Sequence, residues 1–172
     1  MSIAEMLKEA GVVQPGNVRL SSGGTAAAYF DVKRAYGSPH VLRILAKTLA
    51  ERLPRETTTV AAMGYGGITL ASVIAAQQDY KLTLVREKEK SHGLPGLLHG
   101  YVPSRSDAVA IIDDVCTTGG SLQRVITALE STGARILGGY VVVQRGIVQN
   151  AAPVVALVHA SELTREKFSL LK

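Results

Sequence analysis

Two adjacent carboxylates, Asp113 and Asp114, stand between the apolar run Val109-Ala110-Ile111-Ile112 and the segment Val115-Cys116-Thr117-Thr118-Gly119-Gly120-Ser121. The apolar run predicts a buried strand that delivers both carboxylates to its end, and the small residues predict a turn into a helix. Such a loop can aim several backbone N–H groups and hydroxyls at one phosphate, helped by the positive end of the helix dipole. Glycine permits both the tight turn and the close approach of phosphate oxygens. The carboxylates, one side away, suit the hydroxyls of a sugar that carries the phosphate. An Asp-Asp pair alone reads equally well as a solvated strand end. The whole string from 109 to 121 fits one phosphorylated ligand.

Three other segments could take part. Arg86-Glu87-Lys88-Glu89-Lys90-Ser91-His92-Gly93 is a solvated charged loop or a cationic lid over an anionic leaving group, with glycines that would let it move. Gln144-Arg145-Gly146 puts a lone Arg at the end of an apolar run, ordinarily a surface position. Leu20-Ser21-Ser22-Gly23-Gly24 precedes Tyr29-Phe30-Asp31, whose aromatics suit a core as well as the face of a base.

The elements that must position these residues follow from period and punctuation. Ser2 caps an amphipathic first helix, and Asn17 to Leu20 and Tyr29 to Lys33 read as short strands. Ser38-Pro39 opens a helix by the cap-then-proline rule, with Val41, Leu42, Leu45, Leu49 and Leu53 at helical spacing. Strands are then expected at 58–63, 81–85, 109–112, 136–143 and 154–158, and a charged loop from Arg86 to Leu98. Helices are expected at 68–77 and at 121–131, the latter stopped by Gly133, with Ser161 capping a last short one. This alternation predicts an α/β fold, a mostly parallel twisted sheet flanked by helices, in a single domain over 1–172. Ligands of such folds bind at the carboxyl ends of the strands. Residues 64–67, 86–93, 113–120 and 144–146 should therefore line one crevice.

Composition narrows the class. The chain has 172 residues, 47% hydrophobic and 19% charged, which suits one globular domain and excludes a disordered one. A net charge of +5 suits an anionic partner, but there is no dense Lys/Arg patch interleaved with aromatics, so nucleic acid is not expected. Cys116 is the only cysteine, which excludes an internal disulfide and suits the cytoplasm. No secretory signal is expected at the N-terminus. The uncharged stretch Thr57 to Gln78 is long enough for a membrane span, but its Thr and Gln residues and central glycines read as strand, turn and buried helix.

The string 109–121 closely resembles the phosphoribosyl diphosphate (PRPP) motif of type I phosphoribosyltransferases. The Arg-x-x-x-Lys-x-His-Gly spacing from Arg86 to Gly93 resembles the catalytic loop of one branch, the orotate phosphoribosyltransferases. The resemblance runs from about Leu20 to Gly146. It implies that Asp113, Asp114, Val115, Cys116, Thr117, Thr118, Gly119, Gly120 and Ser121 bind PRPP, and that Arg86, Lys90 and His92 contact its diphosphate. Lys90, His92, Asp113 and Asp114 would be the catalytic residues. It also implies that Arg145 pairs with the orotate carboxylate while Thr117 meets the pyrimidine. Residues 1–35 would include a hood over the base, with Ser22, Tyr29 and Phe30. Mg2+ would be held mainly by PRPP, with Asp113 and Asp114 nearby, directly or through water. The family further implies a homodimer in which the 86–98 loop reaches the neighbouring site.

Three positions depart from the pattern. Glu87 stands where the family often has a second basic residue, for which Lys88 could substitute only if the loop bends differently. Thr25 and Gly66 stand where some members have lysines. Two other functions stay open at this point: transfer to a purine base, and a non-catalytic PRPP-sensing regulator.

Overall fold

The computed structural model describes residues 1–19, 25–88, 96–146 and 152–164. The Ser21–Gly24 turn, with Ser22, and the stretch 89–95, with Lys90 and His92, lie outside the described residues. So does Leu20, the expected end of the first strand.

Helix α1 (Ile3–Glu9) starts with a reciprocal capping box: Glu5 N–H donates to Ser2 Oγ, and Ser2 N–H donates to the Glu5 carboxylate. Strands β1 (Val13–Arg19) and β2 (Thr25–Phe30) form a two-stranded antiparallel sheet. The strand expected over Tyr29 to Lys33 ends at Phe30, and Val32–Gly37 is a 3-10 helix instead. Val32 and Ala35 are both buried, and their i,i+3 spacing puts them on one face of a three-residue turn. Helix α2 (Pro39–Ala50) begins as expected, with Ser38 as its cap.

The main sheet has the strand order β5-β4-β3-β6-β7-β8, from β3 (Thr59–Met63), β4 (Lys81–Val85), β5 (Leu98–Gly100), β6 (Ala108–Cys116), β7 (Arg135–Gln144) and β8 (Val154–His159). All pairs are parallel except β4 with β5, an antiparallel edge strand that begins at Leu98, where the expected loop ends. Helices α3 (Gly64–Gln78), α4 (Gly120–Leu129) and α5 (Ala160–Thr164) complete the fold. Ser161 lies inside α5 rather than capping it, because Glu162 itself accepts from His159 N–H at 2.8 Å.

Alternation along the strands builds two cores. Val60 and Ala62 of β3 pack with Leu45 and Leu49 of α2 and Leu70 and Ile74 of α3; Ala61 and Met63 pack with Leu122, Val125 and Leu129 of α4. Both faces of the central strands are thus apolar, as a parallel sheet covered on both sides requires. The first core also takes in Leu7, Val12 and Phe30, so the N-terminal segment is anchored to the same interior as the main sheet. No described helix is long and apolar enough to cross a membrane.

Candidate active site

The order of the sheet locates a crevice. From β3 the chain moves by way of α3 to β4 on one side, and from β6 by way of α4 to β7 on the other. Between β3 and β6 the winding reverses, and their carboxyl ends open a cleft for a ligand. Two segments face each other there: the first turn of α3, and the end of β6 with the loop that follows.

Strand β6 continues through Cys116, which pairs with Gln144, so Asp113 and Asp114 sit on the strand and not beyond it. Asp113 is 8% exposed, and its Oδ1 accepts from Asp114 N–H at 2.9 Å; Asp114 Oδ1 accepts from Val115 N–H at 3.0 Å. Burial, and then the charge of Asp114, push the Asp113 carboxyl well above the usual carboxylate range. The Asp114 carboxylate lies against α3, and a Cβ added at Gly66 would fall inside it. At Gly67 an added Cβ would stand 2.7 Å from Ile112 O. This close approach explains why α3 begins at Gly64 and not at Ile68: the glycine run is the helix's first turn, pressed onto β6.

After β6 the loop turns through Gly119, at φ +85°, into the N-terminus of α4. Residues 115–121 line a concavity of about 160 Å³, below the usual range for whole small-molecule sites and suited to a single phosphate. Cys116 is buried there, and burial followed by the charge of Asp113 pushes its thiol up to about 11, so it stays protonated.

A second concavity, about 380 Å³, adjoins the first and shares Asp113, Val115, Ser121 and Arg124 with it. Tyr29, 39% exposed, and the exposed Glu87 open onto it, as do Asp114 and Gly66. It also holds Lys33, whose Nζ lies 3.1 Å from Asp31 Oδ1 and 3.5 Å from Asp114 Oδ2. Sequence reasoning missed Lys33 and Arg124. Arg124 was findable, because it stands three residues after Ser121 on a helix and shares its face. Lys33 had no local signal, since it meets Asp114 across 81 residues of chain.

Arg145 leaves β7 beside the loop that follows β6: its N–H donates to Cys116 O at 2.8 Å, and its guanidinium carbon lies 5.9 Å from the centre of the Phe30 ring. The next residue, Gly146, packs onto Thr117 O, where an added Cβ would stand at 3.0 Å. Phe30 is 5% exposed and belongs to the core, whereas its neighbour Tyr29 faces the cleft. Arg86 bonds through its backbone to Leu97 O at 2.9 Å, and its Nη1 is buried with no hydrogen-bond partner among the described residues. Lys88 is exposed.

The family model for the phosphoribosyl transferase domain matches residues 37–152. An orotate phosphoribosyltransferase of Methanoculleus marisnigri is 33% identical over 167 residues, covering 94% of this chain and 96% of the relative. That of Methanothermobacter thermautotrophicus is 33% identical over 143 residues, covering 83% and 78%. The crystal structure of orotate phosphoribosyltransferase from Aeropyrum pernix superimposes with a TM-score of 0.82 at 27% identity, covering 94% of this chain and 95% of that one. In sequence along nearly its whole length, and in fold, the chain belongs to the orotate phosphoribosyltransferases of the phosphoribosyl transferase domain family.

Proposed function

We infer that the protein transfers the 5-phosphoribosyl group of PRPP to orotate, giving orotidine 5′-monophosphate and diphosphate in pyrimidine (UMP) synthesis. The observation that supports the acceptor is the backbone bond from Arg145 N–H to Cys116 O, which anchors this arginine next to the loop we read as the sugar-phosphate cradle. A guanidinium matches a planar carboxylate by two parallel hydrogen bonds, and orotate has a carboxylate where purine bases have none.

In this reading the 5′-phosphate takes the small concavity formed by 115–121, with the backbone of Val115, Cys116, Gly119 and Gly120 and the hydroxyls of Thr117, Thr118 and Ser121. The ribose hydroxyls face Asp113 and Asp114. A ring nitrogen of the acceptor bonds to C1 as the C1–O bond breaks and its electron pair leaves on diphosphate. Positive charge that develops on the ribose is favoured by the carboxylates beneath it. Arg86, with a buried donor that has no partner among the described residues, is suited to the departing diphosphate, with Lys90 and His92 of the same segment. The exposed Lys88 is a weaker candidate. Thr117 borders the pyrimidine, Tyr29 and Ser22 belong to the hood, and Phe30 backs Arg145.

The family implies magnesium. Among the described residues no group of three or more His, Cys, Asp or Glu side chains could hold a metal ion, while Asp113 and Asp114 both line the larger concavity. That donor set fits an ion carried in on the diphosphate and met by these carboxylates directly or through water. Bound there, it would neutralise charge on the leaving group. We place the enzyme in the cytoplasm, as a homodimer whose 86–98 loops serve each other's sites.

The test is the loss of orotate absorbance on mixing the chain with PRPP and magnesium, with adenine, guanine, hypoxanthine and uracil as controls. Turnover of orotate alone is expected. Turnover of a purine would overturn the acceptor, and PRPP binding without any turnover would favour a regulator.

A further inference from the structure

Charge in the larger concavity poses a problem for an anionic substrate. Its described lining carries three carboxylates, Glu87, Asp113 and Asp114, against two cationic side chains, Lys33 and Arg124. Position 66, on the first turn of α3, lies directly over Asp114, yet no side chain can be placed there without displacing that carboxylate. Positive charge on this wall must come from another element. The 3-10 turn after β2 brings it: Lys33 Nζ stands 3.5 Å from Asp114 Oδ2 and 3.1 Å from Asp31 Oδ1, on a side chain still 44% exposed to the cleft. The turn is fixed from two sides. Val32 and Ala35 are buried in the core, and Tyr36 Oη donates to Gly66 O at 3.2 Å, which joins the turn that carries Lys33 to the glycine it complements.

We propose that Lys33 is a diphosphate-binding residue of this enzyme, held by Asp31 and Asp114 in the free protein and turning to the diphosphate of PRPP when substrate enters. The contact rests on the reading of this cleft as a PRPP site. A lysine suits the role because its ammonium is a compact charge on a flexible stem and can exchange a carboxylate for a phosphate oxygen with a small swing. Burial disfavours its charge, but hydrogen bonding to Asp31 and the charge of Asp114 outweigh that and keep the group an ammonium. With Lys33 drawn away, Asp114 is free to accept from a ribose hydroxyl, so one rearrangement readies both groups.

The experiment is calorimetric titration of inorganic diphosphate, with magnesium at fixed ionic strength, into the wild-type chain, Lys33→Ala and Lys33→Arg, with ribose 5-phosphate as the comparison ligand. Lys33→Ala should weaken diphosphate binding about tenfold or more, with Lys33→Arg recovering most of the loss and ribose 5-phosphate changed by less than about twofold. Unchanged diphosphate affinity would overturn the proposal. Equal losses on both ligands would overturn it too, since Lys33 would then act only by orienting Asp114. If Lys33→Ala lowers the melting temperature, Lys33→Gln, which keeps the length of the stem, carries the same comparison. No acceptor base is needed. A chain that binds diphosphate through Lys33 but leaves orotate untouched would uphold this contact and sink the orotate reading.

Discussion

Arg145, to which we assign the choice of acceptor, is held at two points: its backbone N–H by Cys116 O and its guanidinium beside the ring of Phe30. A charge-assisted bidentate contact contributes about 1.5–3 kcal/mol, so Arg145→Ala should raise KM for orotate by roughly ten- to a hundredfold. The KM for PRPP should stay nearly constant. Steady-state kinetics with each substrate varied in turn checks this, and equal effects on both constants would detach Arg145 from the carboxylate. At this scale the sequence was informative wherever function needs a local string. The 109–121 motif could be named because strand, turn and helix are consecutive in the chain, whereas Arg145 was named through the family resemblance alone. Lys33 could not, because what defines it is a carboxylate far away in sequence, seated over a glycine from a third segment.

Strand β6 separates two kinds of carboxylate. At its carboxyl end stand Asp113 and Asp114; just before its start stands Asp107, 2% exposed, which accepts from Lys81 Nζ at 2.9 Å, Tyr101 Oη at 2.8 Å, Ser104 N–H at 2.9 Å and Thr58 Oγ1 at 3.1 Å. Burial would raise its pKa, but these donors, Lys81 first, outweigh that and hold it well below the usual carboxylate range. A carboxylate with a depressed folded-state pKa contributes stability that is complete above its unfolded value, about 4, and is lost as pH falls toward the folded one. Asp107→Asn should therefore cost about 1–3 kcal/mol at pH 7 in denaturant titrations, with a smaller gap from wild type at pH 3. A gap independent of pH would show that the network does not depend on the charge. The strand and helix alternation was legible because apolar runs and glycines punctuate it. The edge strand β5 was not, since three residues paired only to β4 leave no pattern. Nor was the reach of β6 past its carboxylates, which depends on β7 continuing beside it to Gln144.

For the whole molecule, the proposed dimer has the sharpest consequence. If each 86–98 loop completes the partner's site, Lys90→Ala and Asp114→Asn chains are each inactive, but a mixed dimer holds one intact site. Random mixing in equal amounts should restore about a quarter of wild-type activity. Activity that stays absent after mixed dimers are demonstrated would assign each loop to its own chain. The base of that loop has a further consequence. Arg86 N–H bonded to Leu97 O closes the segment where β4 meets β5, so its two ends are neighbouring anchor points on the sheet. Doubling the length of a loop closed in this way costs only about 0.6 kcal/mol. The segment to which we assign the leaving group is in this sense a cassette: on this cost alone it should tolerate being lengthened, shortened or exchanged with that of a relative while the six strands keep their register. Catalytic tempo and structural endurance can then drift independently in this lineage.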